Sequence, residues 1–231
     1  MVKNYIYIFR TLAILLGFLQ GWAYRHEYFG DVVSHIEIGE AYLRGDLSTA
    51  LNGYFSPLYG CILGFLLFLL KPSPYWEYTV VIFCNFLIYL LSLLAFEFFV
   101  SKLIEHQKNS SLKTSNEGYI SLPEWAIRSL GYSFFIFYSL SMISITSTTP
   151  DILVSAFLYL ILGIILHIRL GNNNLITFIL FGLVLGFSYL AKEVMFPLAF
   201  VFIVIGILSV TDLRKKNNIV ACCIISFFFS S

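Results

Sequence analysis

The chain has 231 residues, of which 59% are hydrophobic, 18% aromatic and 12% charged, and its net charge is +1. Soluble domains carry about 25% charged residues, so this composition, with a mean hydropathy of +0.85, excludes an ordinary water-soluble globule and indicates an integral membrane protein. The small net charge gives no basis for a nucleic-acid partner, and Cys61, Cys84, Cys222 and Cys223 lack metal-ligand or redox spacing and read as small hydrophobes.

The first apolar run, "YIYIFRTLAILLGFLQGWAY", follows Lys3 and contains Arg10. It leads into the bulky, polar "GWAYRHEYFG" without a small-residue cleavage pattern, so it reads as an uncleaved first helix and not as a signal peptide. Five further runs follow, "YTVVIFCNFLIYLLSLLAFEFFV", "WAIRSLGYSFFIFYSLSMISI", "ILVSAFLYLILGIILHI", "LITFILFGLVLGFSYLA" and "VMFPLAFVFIVIGILSV". Most reach the roughly 17 to 25 residues needed to cross a bilayer. None alternates with period two, so each must close its own backbone hydrogen bonds as a helix. The fold class expected is all-α: a polytopic membrane helix bundle of six crossings, with an external amphipathic helix and a short re-entrant or juxtamembrane helix.

Lys and Arg in short loops mark the cytoplasmic side. Lys3 and Arg10 put the N-terminus inside, and so do Lys102, Lys108 and Lys113 for a cytoplasmic loop over 102–124, and Arg214, Lys215 and Lys216 for the segment after the sixth run. The acid-rich external loop, 24–56, falls outside. The run within "SPLYGCILGFLLFLLKPSP" holds about fourteen apolar residues, the length of a re-entrant segment, and a crossing there would move Lys102 to Lys113 to the outer face. Residues 57–74 are therefore expected to dip into the membrane and return. "TSTTPD" and "AKE" then share the outer face with the acidic loop. The last apolar run, 219–231, reads as a seventh crossing broken off, so that the whole chain, 1–231, forms one transmembrane module. The sequon at Asn109-Ser110-Ser111 lies on the wrong side for use in this threading.

Asp31 opens a helix-like stretch. At 100° per residue Val32, Ile36, Gly39 and Leu43 share a face, flanked by His35, Ile38 and Tyr42, with Glu37, Glu40 and Arg44 opposite. This is the pattern of a helix lying on a membrane surface, ended by Gly45, with Asp46 or Ser48 starting another turn. Asp31 reads either as the helix N-cap or as a general base at the water boundary. Asp151 in "TTPD" has the same two readings: the first turn of a helix behind Thr149 and Pro150, or a partner for Asp31 at the mouth of the bundle. Lys192 and Glu193 break two apolar runs. They either snorkel or bind a lipid-linked phosphate and its acceptor. Tyr54, Phe55 and Tyr59 in "NGYFSPLYG" are expected at headgroup depth, as an interfacial belt or as a groove that stacks a sugar. Glu97 and His167 read as snorkelling residues and Arg128 as a positive-inside anchor.

An uncleaved first helix, an external loop with an early Asp and a surface helix ("GDVVSHIEIGEAYLRGDLSTALNGYFSPLYG"), and later "TTPDILVSAFLYL" and "GFSYLAKEVMFPLAF", resemble the GT-C membrane glycosyltransferases, in particular bacterial proteins related to protein mannosyltransferases and aminoarabinose transferases. The likeness covers the chain as the N-terminal module of a longer member. It implies transfer of a sugar from a polyprenyl-phosphate donor to a lipid, glycan or protein acceptor, outside a bacterial inner membrane. Asp31 matches the catalytic acid of the first loop and Asp151 a second external acid; Lys192 and Glu193 match loosely, as substrate-binding groups with His35, Glu37, Tyr54 and Tyr59. A divalent metal ion, held by Asp31 and Asp151, is an alternative to Lys192 as the charge facing the phosphate. Mannosyltransferases carry two adjacent acids in the first loop, whereas Asp31 is followed by Val32, so the nearest partners are Glu37 and His35. The rival readings are a transporter subunit and a non-catalytic membrane protein.

Overall fold

The structure is a computed structural model that describes residues 4–27, 31–51, 54–113 and 122–210. The described residues form helices and no strand: α1 (Asn4–Ala23), α2 (Val32–Arg44), α3 (Leu47–Ala50), α4 (Pro57–Leu70), α5 (Glu77–Lys113), α6 (Glu124–Phe137), α7 (Asp151–Arg169), α8 (Leu175–Ala191) and α9 (Met195–Ser209), with a π-helical turn over Tyr138–Met142 after α6. The run at 219–231 lies outside the described residues.

Six crossings were expected, and three helices, α1, α5 and α7, are long and apolar enough to cross a membrane. The difference lies in where the regular helices stop. α8 and α9 have 17 and 15 residues, about 26 and 22 Å at 1.5 Å per residue against roughly 30 Å of hydrocarbon. α6 has 14 residues before it passes into the π turn. Conversely, much of the loop expected over 102–124 is helix, because α5 continues to Lys113 and reaches 37 residues. Its polar extension keeps Ile104 buried and places Lys102 against Glu105 at 2.8 Å, an i,i+3 pair that suits a helix surface.

α1 and α5 are antiparallel. Arg10 pairs with Glu97, the Tyr89 hydroxyl donates to the Ala13 carbonyl at 2.9 Å, and the Thr79 hydroxyl donates to the Arg25 carbonyl at 3.3 Å. The chain therefore leaves α1 and enters α5 at the same end of the bundle, so everything between them starts and finishes there. α4 obeys this limit: its Tyr59 hydroxyl donates to Asn85 of α5 at 2.7 Å, and after Lys71 the chain turns through Pro72–Trp76 straight into α5. The short helix expected over 57–74 thus begins and ends beside the first half of α5.

α7 runs parallel to α5 but starts further along. Ile152 and Ser155 share a narrow gap with Ser92, Tyr159 meets the rings of Phe96 and Phe99, and Gly163 has no side chain because a Cβ there would lie 2.5 Å from the Phe98 ring. Ser92 is about 15 residues, or about 22 Å, into α5. The offset leaves α7 and α8 short of the Glu77 end, and α4, packed against both α5 and α8, occupies the missing height.

α2 folds onto α4 and not onto lipid alone. Val32, His35, Ile38, Gly39 and Ala41 are its buried residues, while Val33, Glu37, Leu43 and Arg44 are exposed. The reason is glycine at the crossing. A Cβ on Gly64 would stand 2.5 Å from the Gly39 carbonyl oxygen, and one on Gly60 would stand 2.6 Å from Ile38 Cγ2. Small residues four apart let two backbones touch, a packing mode that needs no large side chains.

Between the π turn and α7, residues 143–150 carry irregular backbone into the interior, with Ile145 and Thr148 fully buried and Thr146 nearly so. Buried peptide groups must be satisfied, and side chains of α5 and α1 do so. The Asn85 amide donates to the Ile145 and Ser147 carbonyls at 2.8 and 3.1 Å while its oxygen receives Tyr59. The Tyr78 hydroxyl donates to Thr146 O at 3.3 Å, and the Gln20 side chain accepts the Ile145 N–H at 3.4 Å while donating to Leu140 O of the π turn at 2.8 Å.

Two stability predictions follow from these contacts. Asn85→Leu keeps the volume but orphans two carbonyls and a hydroxyl, at about 1–3 kcal/mol each when buried; a detergent unfolding titration should show a loss of about 3 kcal/mol, and a loss under 1 would show that Asn85 does not organise the segment. Gly64→Val should cost about 1–3 kcal/mol by overpacking, whereas Ala substitution at Gly45, whose Cβ would meet open space, strains only its left-handed backbone and should leave the α2–α4 contact intact in a crosslinking assay.

Candidate functional site

Asp151 is the first residue of α7, directly after Pro150, and Lys192 follows the last turn of α8. Their helices form an antiparallel pair, so residues 41 apart in sequence meet: Lys192 Nζ lies 2.5 Å from Asp151 Oδ1. The lysine backbone is extended, with φ −160° and ψ 130°, and its N–H donates to Ser188 O at 3.1 Å. That stops α8 and turns the ammonium back toward α7. The side chains keep 43% and 36% of their exposure, so the pair is screened and contributes on the scale of a surface ion pair, about 0–1 kcal/mol. It is therefore easily exchanged for another anion or cation.

Glu193 is exposed and lines a cavity of about 310 Å³ together with Leu51, Phe55, Ser56, Pro57, Tyr189 and Leu190. This cavity lies between the end of α8 and the start of α4. Ser56 occupies the N-cap position of α4 without a side-chain capping bond, and Pro57 opens the helix, so the positive end of the α4 dipole adjoins the same space. Tyr54 next to it is 81% exposed.

Asp31 sits at the N-cap position of α2. Its backbone carbonyl receives the His35 N–H at 3.1 Å, but its carboxylate makes no capping hydrogen bond and is exposed to solvent. Among the described residues no hydrogen bond or ion pair joins Asp31 to Asp151 or Lys192. Glu37 is exposed on the side of α2 turned away from α4. Asp46, by contrast, is a true cap. Its oxygens receive Ser48 Oγ at 2.6 Å, Thr49 Oγ1 at 2.7 Å and the Thr49 N–H at 3.3 Å, and these bonds, Ser48 first, pull its carboxyl down to about 2.

Two expected substrate contacts are corrected. His35 is 2% exposed, wedged edge-on between Phe55 and Tyr59 at centroid distances of 4.7 and 4.8 Å. Tyr59 is 1% exposed with its hydroxyl committed to Asn85. Both belong to the α2–α4–α5 core, because the face of α2 that carries His35 is the one closed by α4. Neither reaches a groove. A metal centre built on Asp31 and Asp151 finds no cluster to support it: among the described residues no group of three or more His, Cys, Asp and Glu is arranged to hold a metal ion, and the Asp151 carboxylate faces an ammonium.

Glu97 differs from the snorkelling expected of it. Oε1 receives Arg10 Nε at 2.7 Å and the Tyr132 hydroxyl at 2.6 Å, and Oε2 receives Arg10 Nη2 at 2.5 Å. The signal was present in the sequence, since Arg10 and Glu97 are opposite charges placed at similar distances from the ends of two apolar runs, and only the antiparallel pairing joins them.

Burial holds the His35 ring below its ordinary value of 6.5, although the Asp31 charge opposes this. The folded form therefore binds fewer protons than the unfolded one below 6.5, and stability falls as pH drops through that value toward the lowered folded pKa. Acid should loosen the α2–α4 hairpin, seen as reduced hydrogen-exchange protection at Ile38 and Gly39 as pH falls below 6.5. His35→Phe should abolish that dependence; an unchanged pH profile in the variant would assign it to other groups.

No family model matches the sequence, and neither the curated proteins nor the solved structures give a match.

Proposed function

We propose that the protein is a multi-pass membrane glycosyltransferase of GT-C type that moves a sugar from a polyprenyl-phosphate donor to a lipid, glycan or protein acceptor, on the extracytoplasmic side of a bacterial inner membrane, with its N-terminus cytoplasmic. The observation that carries this reading is the Lys192–Asp151 pair, set where α7 and α8 stop short of the Glu77 end of α5, next to the cavity at the start of α4. Lys192 supplies a cation for the departing phosphate, held until then by a screened partner that the phosphate can replace. The adjoining cavity, with Phe55, Tyr189 and Glu193, offers rings for a sugar and a carboxylate for its hydroxyls or for an acceptor.

The chemistry asks little of the protein. Polyprenyl phosphate is already a good leaving group, so the enzyme must orient the reactants, stabilise the phosphate and remove the acceptor proton. In transfer, the bond from the anomeric carbon to the phosphate oxygen breaks and a bond to the acceptor forms, while the acceptor proton passes to a carboxylate. Asp31, exposed and without a capping bond, is the base in this scheme. Asp151 positions Lys192. A divalent cation at Asp151 would have to displace the ammonium.

A transporter subunit is the second reading, favoured by the irregular, buried 143–150 segment between α6 and α7, since transporters line their sites with interrupted helices. Purified full-length protein in proteoliposomes, supplied with polyprenyl-phosphate sugars, separates the two. Asp31→Asn should lower transfer by about 10²–10⁴ and Lys192→Met should impair donor use, both with normal membrane insertion. Undiminished transfer in Asp31→Asn would remove it as base, and solute uptake without any transfer would favour transport.

A further inference from the structure

A second built cavity lies further along α5 than the level of Asp151 and Lys192. It measures about 300 Å³ and is lined by Ile6, Tyr7, Arg10, Glu97, Ser101 and Arg128, from α1, α5 and α6. Arg10 spends Nε and Nη2 on Glu97, and Arg128 spends Nε on Glu124 at 3.0 Å. Among the described residues Arg10 Nη1 and both terminal nitrogens of Arg128 make no hydrogen bond, and the Arg10 guanidinium lies 5.9 Å from the centre of the Tyr7 ring. Glu97 is saturated, with Arg10 on both oxygens and Tyr132 on one. Glu124 lies between Arg128 and Lys108. Three cations thus face two carboxylates, and the local balance is positive.

The surround is apolar. Tyr7, Ile8 and Trp125 are more than 60% exposed, and Tyr and Trp favour the level where headgroups meet hydrocarbon. Two guanidinium groups whose remaining donors open on a common cavity suit a phosphate in shape and charge, and basic pockets between membrane helices take lipid headgroups in this way.

We infer that the Arg10–Arg128 cavity binds the phosphodiester headgroup of an anionic phospholipid, with Ser101 as an additional hydroxyl donor and Glu97 as the group that orients Arg10. The acyl chains lie along the exposed faces of α1 and α6. This site is independent of the transferase reading.

The test is native mass spectrometry of the full chain released from detergent after exchange into phosphatidylglycerol or phosphatidylcholine, with thermal melting in parallel. Wild-type protein should retain phosphatidylglycerol at least tenfold more than phosphatidylcholine. Arg128→Gln should reduce that retention about tenfold, Arg128→Lys should restore part of it, and Ser101→Leu, which fills the cavity and leaves every ion pair in place, should match Arg128→Gln. Should Arg128→Gln fail to fold, Ser101→Leu alone decides. Equal retention of the two lipids, or phosphatidylglycerol held normally by Ser101→Leu, would overturn the proposal. Displacement of phosphatidylglycerol by millimolar inorganic phosphate would reassign the cavity to the free anion and overturn it as a lipid site.

Discussion

The amide of Asn85 is the point at which the interior of this protein is joined. One side chain in the middle of an apolar helix gives two hydrogen bonds to carbonyls of the 143–150 segment and takes one from Tyr59 of α4. An unpaired peptide group away from water costs as much as a lost hydrogen bond, so α7 can begin deep beside α5 only because that amide is there. The same amide fixes the start of α4. The staggered heights of α5 and α7, the short helix that fills the difference and the position of Asp151 all depend on it.

That stagger is what creates a site. Had α7 and α8 matched α5 in height, the turn at Lys192 would meet solvent directly and no wall would stand over it. Because they stop short, the turn faces α4 and the residues before it, and a cavity forms with helix ends on both sides. Charge is permitted there for a physical reason: helix ends have unsatisfied backbone groups and dipoles that polar side chains complement.

Much of this was legible from composition and period. Apolar runs mark α1, α5, α7, α8 and α9, and the brevity of "PLYGCILGFLLFLL" sets it apart from them as the short helix α4. What periodicity could not supply was partnership. The stripe of α2 fits a lipid surface and a protein groove equally well, and only the approach of Gly39 to Gly64 decides for the groove, so His35 and Tyr59 read as accessible when they are enclosed. Lys192 and Asp151 were each singled out, but their ion pair depends on how the α7 and α8 ends are aligned, which spacing does not encode. Asn85 and Gln20 give no sequence signal, because single polar residues in an apolar run carry no pattern. Their meaning lies entirely in the irregular backbone that they satisfy.

The contact between Gly39 and Gly64 also sets how the outer hairpin can move. Two backbones in direct touch leave no side chains to rearrange between them, and Ile38 resting on Gly60 blocks sliding along the helix axis. α4 in turn is packed against α5 and α8. The outer hairpin is thus held as one unit by backbone contact at Gly39 and Gly64 and by the Tyr59 hydroxyl on Asn85.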